Sequence, residues 1–389
     1  ATTAKLEEGA QTAEAVLRVL AGRTDEDMLA LYKRLDVPSE VKQFGRLRDF
    51  VVPAMLRQRP NTQPRIVFWC GRSVEPWYPG SIETTGIGGS ETAVIKIAER
   101  FQTAGWRVDV YNEPERWEGE YDGVGYWGLG RLTAGEAADV LVSWRDPQGM
   151  ALPLERRMSV LWCHDLNRGP GAESYLRGWD RVLGVSEWHR SYLAQVYDLA
   201  NTGYVPNGID LERFAGPVKK IPGRCVYASS PDRGLEKLLQ MWPVLYQSDP
   251  GRELHVAYGW ETFDKYIAMG RMDLAQQKER ILKLLEQPGV VWRGRLKQSD
   301  LATLYKESYA WLYPTSFTEV SCISAMEAMA GGCVPVTSEV GALKETIGEA
   351  GLVVKGNTYT HAWGQFWIMC AQGVLASPDV RMTLAYKGM

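Results

Sequence analysis

The sequence lacks the features that mark several common classes of protein. Its six cysteines are scattered without the C-x-x-C spacing of zinc or redox sites, and most of them lie in apolar runs. We therefore expect reduced thiols in a cytoplasmic protein. Residues 1–10 are polar and charged where the apolar core of a secretory signal peptide would be needed, so no such peptide is expected.

Strong net charge and long apolar runs are missing as well. Lys and Arg number 44 against 47 Asp and Glu, a net charge of −3, so no overall field attracts nucleic acid or anionic membrane. The longest apolar stretch, residues 362–376, is interrupted by Gln365 and Gln372 and is too short to span a bilayer. With 389 residues and 45% hydrophobic content, the chain is long enough for two soluble domains.

Alternating strands and helices dominate the chain from Arg65 onward. Short β-branched or aromatic runs such as RIVFWCG alternate with amphipathic helices such as SETAVIKIAERFQTAG. This alternation is typical of parallel sheets covered on both faces, and it occurs twice. Between the two occurrences, the Pro, Asn and Gly residues of VPNGIDLERFAGPVKKIPG, residues 205–223, mark a linker.

We therefore predict an α/β fold with two Rossmann-like, doubly wound parallel-sheet domains that face a cleft. The predicted segments are an N-terminal helical extension at 1–60, a first domain at 61–210, a second domain at 211–360, and a C-terminal helical segment at 361–389. Packing of that last segment back on the first domain is one option. Ligands of such folds bind where strand carboxyl ends and helix N-termini converge.

The stretch GIGGSE, residues 86–91, lies between the first strand and its helix. Gly88 and Gly89 remove side chains where the backbone must approach a neighbour, and the helix N-terminus behind them offers amide groups to an anion. The spacing matches neither the dinucleotide fingerprint G-x-G-x-x-G nor a P-loop. An ordinary tight turn between a strand and a helix is therefore the alternative.

A second polar cluster follows the first strand of the second domain, in YASSPDRGLEKLL. Ser229, Ser230 and Arg233 stand just ahead of a helix, so hydroxyls, a guanidinium and a helix N-terminus meet there. This combination suits a diphosphate, because Arg supplies several directed donors to phosphate oxygens. A capped helix with a surface arginine is the alternative.

Two glutamates stand eight residues apart in TSFTEVSCISAMEAMAGGCVPV, residues 315–336. Glu319 lies in the loop after a strand, and the amides of Val320 and Ser321 lie at the N-terminus of the next helix, where they can hold phosphate. Glu327 lies more than one turn inside that helix, where an unpaired carboxylate would be costly. If it is buried, it must accept hydrogen bonds, and a vicinal diol and a salt bridge are both candidates for the donor. A merely exposed glutamate is the remaining alternative.

Several ordered motifs together resemble the retaining, GT-B-fold glycosyltransferases of family 4, the glycogen-synthase-like and mannosyltransferase group. These motifs are the spaced glutamates with AMAGG and VPV, the GGSE loop, the VPNGID link, and GRL after GVVW. The resemblance begins near Arg65 and is strongest over residues 205–354. It implies transfer of a hexosyl group from a nucleotide diphosphate sugar, UDP- or GDP-linked, to a hydroxyl acceptor with retention and without a further cofactor.

The resemblance also implies roles at the nucleotide and the sugar. Glu327 would bind the ribose diol, and Glu319 would contact hydroxyls of the transferred sugar. The amides of Val320 and Ser321 would lie on the phosphate side. Arg233 would stand in for the usual lysine and neutralise the leaving diphosphate. No D-x-D carboxylate pair stands at a strand end in the predicted cleft, and fixed cationic charge can replace a divalent metal, so we expect no metal.

The remaining roles implied by the resemblance lie at the edges of this site. Arg295 and Leu296 would lie near the base, and Gly88 and Gly89 would let the first domain close over the phosphates. His164, in VLWCHDLN at a strand end, would reach the sugar near the anomeric centre.

One departure from the family pattern leaves two other functions open. Where the family has Gly-Arg ahead of the lysine, this chain has Ser229 and Ser230, so one phosphate-binding arginine is missing. Ser230 is then the donor-binding candidate at that position. A non-catalytic module that keeps nucleotide-sugar binding is one alternative, and a nucleotide-sugar epimerase or hydrolase on the same scaffold is another.

The acceptor is open among a glycan, a protein and a hydroxylated base in nucleic acid. Aromatic side chains of the first domain suit sugars and unstacked bases alike: Trp77, Tyr78, Trp117, Tyr121, Tyr126 and Trp127. Six basic residues between 41 and 65 face one acidic residue, Asp49, which indicates either a solvated helix face or a patch for a phosphate-bearing acceptor.

Charge reversal of this basic segment tests the patch. Replacing Arg46, Arg48, Arg57 and Arg59 together by Glu is expected to raise the apparent KM for a phosphate-bearing acceptor, because it removes the attractive charge. Donor affinity is expected to stay unchanged. Acceptor kinetics that match those of the wild-type protein would assign the segment to a solvated helix face.

Overall fold

The computed structural model describes residues 2–35, 37, 41, 45–57, 63–166, 175–217 and 219–388. Of the basic segment, Arg59 and the side chains of Arg46, Arg48 and Arg57 lie outside the described part, so its role stays a prediction. The chain divides into two units. The first comprises Ala1–Tyr78, Val94–Leu183 and Tyr197–Gly203, and the second comprises Pro79–Ala93, Gly184–Val196 and Tyr204–Met389.

The strands form two sheets. In chain order they are β1 (Arg65–Trp69), β2 (Arg107–Tyr111), β3 (Gly119–Tyr121), β4 (Val124–Trp127), β5 (Glu136–Trp144), β6 (Leu154–Trp162), β7 (Arg181–Gly184), β8 (Thr202–Tyr204), β9 (Arg224–Tyr227), β10 (Glu253–Ala257), β11 (Val290–Gly294), β12 (Ala310–Tyr313), β13 (Val334–Ser338) and β14 (Leu352–Val354).

The α-helices surround these sheets. In the described residues they are α1 (Thr2–Leu20), α2 (Asp25–Arg34), α3 (Gly45–Arg57), α4 (Ser81–Thr84), α5 (Gly89–Thr103), α6 (Glu187–Tyr197), α7 (Leu235–Ser248), α8 (Glu261–Ala268), α9 (Met272–Leu285), α10 (Gln298–Glu307), α11 (Ile323–Ala330), α12 (Leu343–Ile347), α13 (His361–Ala376) and α14 (Pro378–Gly388).

The first unit is built on an eight-stranded sheet with the order β3-β4-β2-β1-β5-β6-β7-β8. Strand β1 pairs in parallel with β2 and β5, whereas β3 runs antiparallel to β4. The buried residues of β1 are apolar apart from Arg65, which pairs with Asp109 at 2.8 Å. Helices α1, α2 and α3 form a separate apolar cluster around Leu20, Leu47 and Val51, so the N-terminal helices have a core of their own.

The second unit contains a six-stranded sheet with the order β11-β10-β9-β12-β13-β14, in which all neighbouring strands run parallel. Central strand β12 is buried along its whole length, as expected for a strand covered on both faces. The hydrophobic core of the second unit includes Trp242 from α7, Trp311 from β12 and Trp367 from α13. The two Rossmann-like sheets predicted from the sequence are confirmed.

The C-terminal helices pack on the second sheet. Helix α13 begins at the Thr360 cap, whose hydroxyl accepts the amide of Trp363 at 3.3 Å. Its buried face, which includes Trp363, Trp367 and Ala371, joins the core of the second unit. The docked face indicated by the helical spacing of these apolar residues is therefore observed, and packing of the segment on the first domain stays a prediction.

The helices and the cysteines of the two units can be compared with the predictions from the sequence. None of the helices in the described ranges is long and apolar enough to cross a bilayer. All six cysteines are free thiols, and five of them are buried in the two units.

Truncation of Trp367 tests whether α13 belongs to the second core. Trp367→Ala is expected to lower the free energy of unfolding of the second unit by about 3–5 kcal/mol, because it leaves a cavity in a packed interior. The matched control is Phe366→Ala on the same helix, since that side chain is 55% exposed. Its expected loss is below about 0.5 kcal/mol. Equal losses in urea denaturation would contradict the packing.

Candidate active site

The candidate site lies at the carboxyl edge of the second sheet, the side on which its parallel strands have their C-terminal ends. Strands β9 and β12 are parallel neighbours, so the loops that follow them leave the sheet at the same edge. The turn Pro231–Arg233 follows β9 and ends at Gly234, whose φ is +112°. A Cβ at Gly234 would lie 3.0 Å from the carbonyl oxygen of Pro314. The two loops are therefore in backbone contact, and a glycine is required there.

Arg233 and Glu319 meet across these two loops. One guanidinium nitrogen of Arg233 lies 3.4 Å from Oε1 of Glu319, and the guanidinium stacks over the Phe317 ring with 4.2 Å between its central carbon and the ring centroid. The Glu319 side chain is 4% exposed and that of Arg233 is 37% exposed. Burial alone would lower the pKa of Arg233, but the charge of Glu319 and smaller contributions from neighbours such as Tyr313 and Asp232 together outweigh burial, and the pKa is raised. The arginine therefore stays charged and partly open to solvent.

Tyr313 also contacts the carboxylate of Glu319. Its hydroxyl donates to Oε1 of Glu319 at 2.6 Å and lies 3.4 Å from the hydroxyl of Ser229. Burial, reinforced by the charge of Glu319, raises the pKa of Tyr313 far above its usual value, so the phenol keeps its proton. Sequence reasoning missed this residue, although a tyrosine at the last position of a buried strand was a usable signal.

The neighbouring polar residues bond among themselves. The hydroxyl of Tyr227 donates to the carbonyl of Ser230 at 2.7 Å, and the hydroxyl of Ser230 donates to the carboxylate of Asp232. Ser230 therefore lies beside the arginine turn as predicted, with its hydroxyl engaged by a carboxylate. The negative charge of Asp232 at this position makes the turn less cationic than the sequence pattern indicated.

Glu327 is buried on α11 and is paired with an arginine. One guanidinium nitrogen of Arg213 lies 3.3 Å from Oε1 of Glu327, with side chains 16% and 10% exposed. Burial raises the pKa of Glu327, and the charge of Arg213 and its hydrogen bond oppose that rise. Of the two donors considered from the sequence, the salt bridge is present.

Arg213 reaches Glu327 from the predicted linker. It lies in the turn Leu211–Phe214, which is stabilised by Asp210, whose carboxylate accepts the amide of Glu212 at 3.1 Å. The pair joins residues 114 positions apart. Sequence reasoning missed Arg213, because nothing in a single sequence indicates that the linker turn packs against α11.

The N-terminus of α11 has no side-chain cap among the residues that the structure describes. Its N-cap residue is Cys322, which makes no side-chain hydrogen bond to the helix amides. Val320 and Ser321 directly precede it, and the Ser321 hydroxyl oxygen is buried without a hydrogen-bond partner in the described part of the chain. Amides at such a helix end carry partial positive charge and are suited to an anion.

The GGSE loop and the segment after β11 also meet within the second unit. Arg295 donates to the carbonyl of Gly86 at 2.7 Å, and a Cβ at Gly86 would lie 2.7 Å from the carbonyl oxygen of Leu296. A Cβ at Gly89 would lie 2.7 Å from the side chain of Ile323, the first residue of α11. The structure therefore brings Gly89, Arg295 and Leu296 to the same part of the second unit as α11.

Gly88 makes its closest contact within its own loop. A Cβ at Gly88 would lie 2.3 Å from a carboxylate oxygen of Glu91 in the same loop. The absence of a side chain therefore leaves room for Glu91, whose carboxylate accepts the hydroxyl of Ser90 at 2.9 Å. Any closing motion that these glycines permit remains a prediction.

His164 lies in the first unit, two residues beyond the end of β6. Its ring is buried against Trp162, with ring centroids 4.5 Å apart, and also approaches Trp144 at 5.9 Å. The next residue, Asp165, pairs with Arg145, with an oxygen-to-nitrogen distance of 2.8 Å. The predicted place of His164 at a strand end is therefore observed, and its role toward a sugar stays a prediction. In the described ranges, no three His, Cys, Asp or Glu side chains are grouped as metal ligands.

Comparison with known proteins gives the class of the second unit. Residues 225–363 match the family model described as glycosyl transferases group 1. Over 190 residues the chain is 26% identical to the GDP-mannose:cellobiosyl-diphosphopolyprenol alpha-mannosyltransferase of Xanthomonas campestris, an alignment that covers 47% of this chain. The alignment covers 45% of that enzyme, so the chain spans about half the length of the curated relative it matches.

Solved structures share the fold over most of the chain. WaaG, a glycosyltransferase of lipopolysaccharide biosynthesis, gives a TM-score of 0.60 at 14% identity, covering 83% of this chain and 94% of that chain. Sucrose-phosphate synthase of Thermosynechococcus elongatus gives 0.59 at 16% identity, covering 84% and 93%. Anabaena HepE, solved with UDP-glucose, gives 0.52 at 15% identity, covering 83% and 98%.

The chain thus has the GT-B fold, and its residues 225–363 match the glycosyl transferases group 1 family. The resemblance predicted from the spaced glutamates and the glycine-rich loops is confirmed.

Removal of Arg213 tests the charge balance around Glu327. Burial raises the folded pKa of Glu327 above its unfolded value, so the folded state binds this proton more tightly and stability falls as pH rises between the two values. Arg213→Met removes the charge that opposes this rise, so it raises the folded pKa of Glu327 further and extends to higher pH the range in which stability falls. We expect a loss of about 3 kcal/mol in the free energy of unfolding at pH 8, and a clearly smaller loss at pH 5.

The matched control for this variant is Arg280→Met in the same unit. Arg280 pairs with Glu236 at 2.7 Å, but its side chain is 54% exposed. Its expected loss is small and nearly independent of pH, because solvent screens an exposed ion pair. An Arg213→Met loss that is equal at both pH values, or no larger than the control, would show that Glu327 is not held as a buried anion.

Proposed function

We propose that the protein transfers a glycosyl group from a nucleotide diphosphate sugar to a hydroxyl acceptor. The observation that carries the proposal is that two buried glutamates after β12 are each held by an arginine, Glu319 by Arg233 and Glu327 by Arg213. The group 1 match over residues 225–363 and the mannosyltransferase relative support the same chemistry.

Glu327 is the proposed ligand of the ribose diol. Arg213 contacts only Oε1 in the described structure, and an ionised carboxylate can accept about four hydrogen bonds. The carboxylate therefore keeps capacity for two ribose hydroxyls. Arg213 opposes the rise in the pKa of Glu327, so it favours the ionised form that accepts both hydroxyl protons.

Arg233 and the N-terminus of α11 are the proposed site of the diphosphate. When the bond between the anomeric carbon and the phosphate oxygen breaks, the electron pair leaves with the nucleoside diphosphate. A charged guanidinium and fixed amide dipoles stabilise that developing charge without reorganisation. The partly exposed guanidinium of Arg233 is suited to this role, and the Phe317 ring holds it in one orientation.

Glu319 is the proposed contact for hydroxyls of the transferred sugar. Tyr313 and Arg233 both bond to its Oε1, so Oε2 is left for a substrate hydroxyl. A carboxylate whose position is fixed by two donors selects one sugar orientation. This role requires the sugar to lie next to the diphosphate site, as in a nucleotide diphosphate sugar.

The proposed reaction proceeds with retention and without a metal ion. The acceptor oxygen bonds to the anomeric carbon on the face that the diphosphate leaves, and its proton passes to the departing phosphate oxygen, which lies on that face. Arg233 supplies the fixed positive charge that a divalent cation would otherwise provide. His164 is proposed to contact the sugar near the anomeric centre.

A thermal-shift screen tests donor binding and identifies the base. UDP, GDP, ADP and their common sugar conjugates are the probes, since one relative is named for GDP-mannose and one similar structure holds UDP-glucose. A ligand at 100 times its Kd is expected to stabilise the folded protein by about 2.7 kcal/mol. If none of these compounds raises the Tm, the protein does not bind this class of donor.

The acceptor requirement separates transfer from the alternatives. A transferase is expected to release nucleoside diphosphate much faster when an acceptor is present. Complete turnover of the donor without any acceptor would favour an epimerase or hydrolase. Donor binding with no release above background, across glycan, protein and nucleic-acid acceptors, would favour a non-catalytic module.

Substitution of the two glutamates tests their separate roles. Glu327→Ala is expected to raise the donor KM about tenfold or more, because two hydrogen bonds to a charged acceptor are lost. Glu319→Ala is expected to lower kcat chiefly, because the sugar loses its orientation. Glu236→Ala, in the same unit but on α7, is the control with unchanged kinetics. Equal and mild effects of both active-site changes would show that the roles are misassigned.

A further inference from the structure

Ser186 makes two hydrogen bonds at the start of α6. Its hydroxyl oxygen accepts the amide of His189 at 3.0 Å, which is the bond of a helix N-cap. Its hydroxyl proton is donated to the carbonyl oxygen of Val320 at 2.6 Å. The side chain is buried, and the two partners leave it one orientation. Ser186 therefore connects α6 to the loop that precedes α11.

Glu345 holds the same helix end in place. Its two carboxylate oxygens accept the amides of Glu187 at 2.9 Å and of Trp188 at 2.8 Å. With the cap at His189, the first three amides of α6 are all bonded to protein side chains. The N-terminus of α6 is thus a fixed support for the Ser186 hydroxyl.

A second hydrogen bond fixes the preceding peptide of the same loop. The carbonyl oxygen of Glu319 accepts the amide of Ala342 at 2.7 Å. This approach requires Gly341, whose φ is +63°, because a Cβ there would lie 2.1 Å from that carbonyl oxygen. Two successive carbonyls, those of Glu319 and Val320, are therefore held by groups from other elements.

The direction of each carbonyl sets the direction of the amide in the same peptide. A trans peptide is planar, and its C=O and N–H point in opposite directions. The bond from Ala342 thus orients the N–H of Val320, and the bond from Ser186 orients the N–H of Ser321. Rotation of either peptide would break a hydrogen bond to a buried partner.

We propose that Ser186 is a positioning residue for diphosphate binding, acting through the Val320 carbonyl to aim the Ser321 amide at the phosphate. This inference rests on the proposed function, since it takes the loop before α11 as the diphosphate site. Donors that are oriented before the ligand arrives bind developing charge without a cost of reorganisation. Ser186 is suited to this role because one hydroxyl caps α6 and donates to the loop at the same time.

The test compares a nucleoside diphosphate with its nucleoside in calorimetric titrations. The probe is whichever of UDP, GDP and ADP binds the wild-type protein most tightly. Ser186→Ala is expected to weaken binding of the diphosphate about tenfold, because a donor to a charged group loses its orientation. Binding of the nucleoside, which contacts Glu327, is expected to stay within about twofold.

Thr360→Ala is the matched control. Thr360 caps α13 in the same unit through its bond to Trp363, so the variant also loses one helix cap but leaves the loop at residues 319–321 untouched. We expect it to bind both ligands as the wild-type protein does. A Ser186→Ala protein that binds the diphosphate as tightly as this control, or that loses nucleoside affinity equally, overturns the inference.

A measurement on the wild-type protein covers the case in which Ser186→Ala does not fold. In an amide NMR spectrum, the Ser321 resonance is expected to shift on addition of the nucleoside diphosphate and to stay in place with the nucleoside. If the Ser321 amide resonance does not shift when the nucleoside diphosphate is added, the inference is overturned. If the wild-type protein binds none of UDP, GDP and ADP, the proposed function itself fails, which is a separate outcome.

Discussion

A carboxylate that is buried in a protein must be compensated by charge and hydrogen bonds, and the carboxyl edge of the second sheet meets this constraint twice. Glu319 is held by Arg233 and Tyr313, and Glu327 is held by Arg213. Each compensating group comes from a different part of the chain. Two buried charges therefore require contacts between separate elements. Glu319 connects the loops after β9 and β12, and Glu327 connects α11 to the linker turn.

The two pairs differ in how much of their charge is available to a ligand. Arg213 is mostly buried with Glu327, whereas the side chain of Arg233 remains partly exposed beside the buried Glu319. The first pair is thus suited to holding one carboxylate ionised for a neutral diol. The second pair offers cationic charge beside an uncapped helix end, which suits phosphate. The separation of these two environments is what a nucleotide diphosphate sugar requires.

The strand and helix pattern of the sequence was sufficient to predict two parallel sheets, because β-branched runs and striped helices are local signals. The positions of Glu319 and Glu327 followed from their motif. The long-range contacts of this segment did not, since Arg213 lies 114 residues from Glu327 and Ser186 lies 134 residues from Val320. Such contacts depend on how elements pack against one another, and the local patterns of a single sequence do not indicate this.

The central claim is that the carboxyl edge of the second sheet binds the nucleoside diphosphate part of a sugar donor. A crystal structure of the protein with the best-binding nucleoside diphosphate tests it most directly. We expect both ribose hydroxyls within about 3 Å of the Glu327 carboxylate and the phosphates against Arg233 and the amides of Val320 and Ser321. A ligand bound elsewhere, with Glu327 contacting Arg213 alone, would contradict the claim.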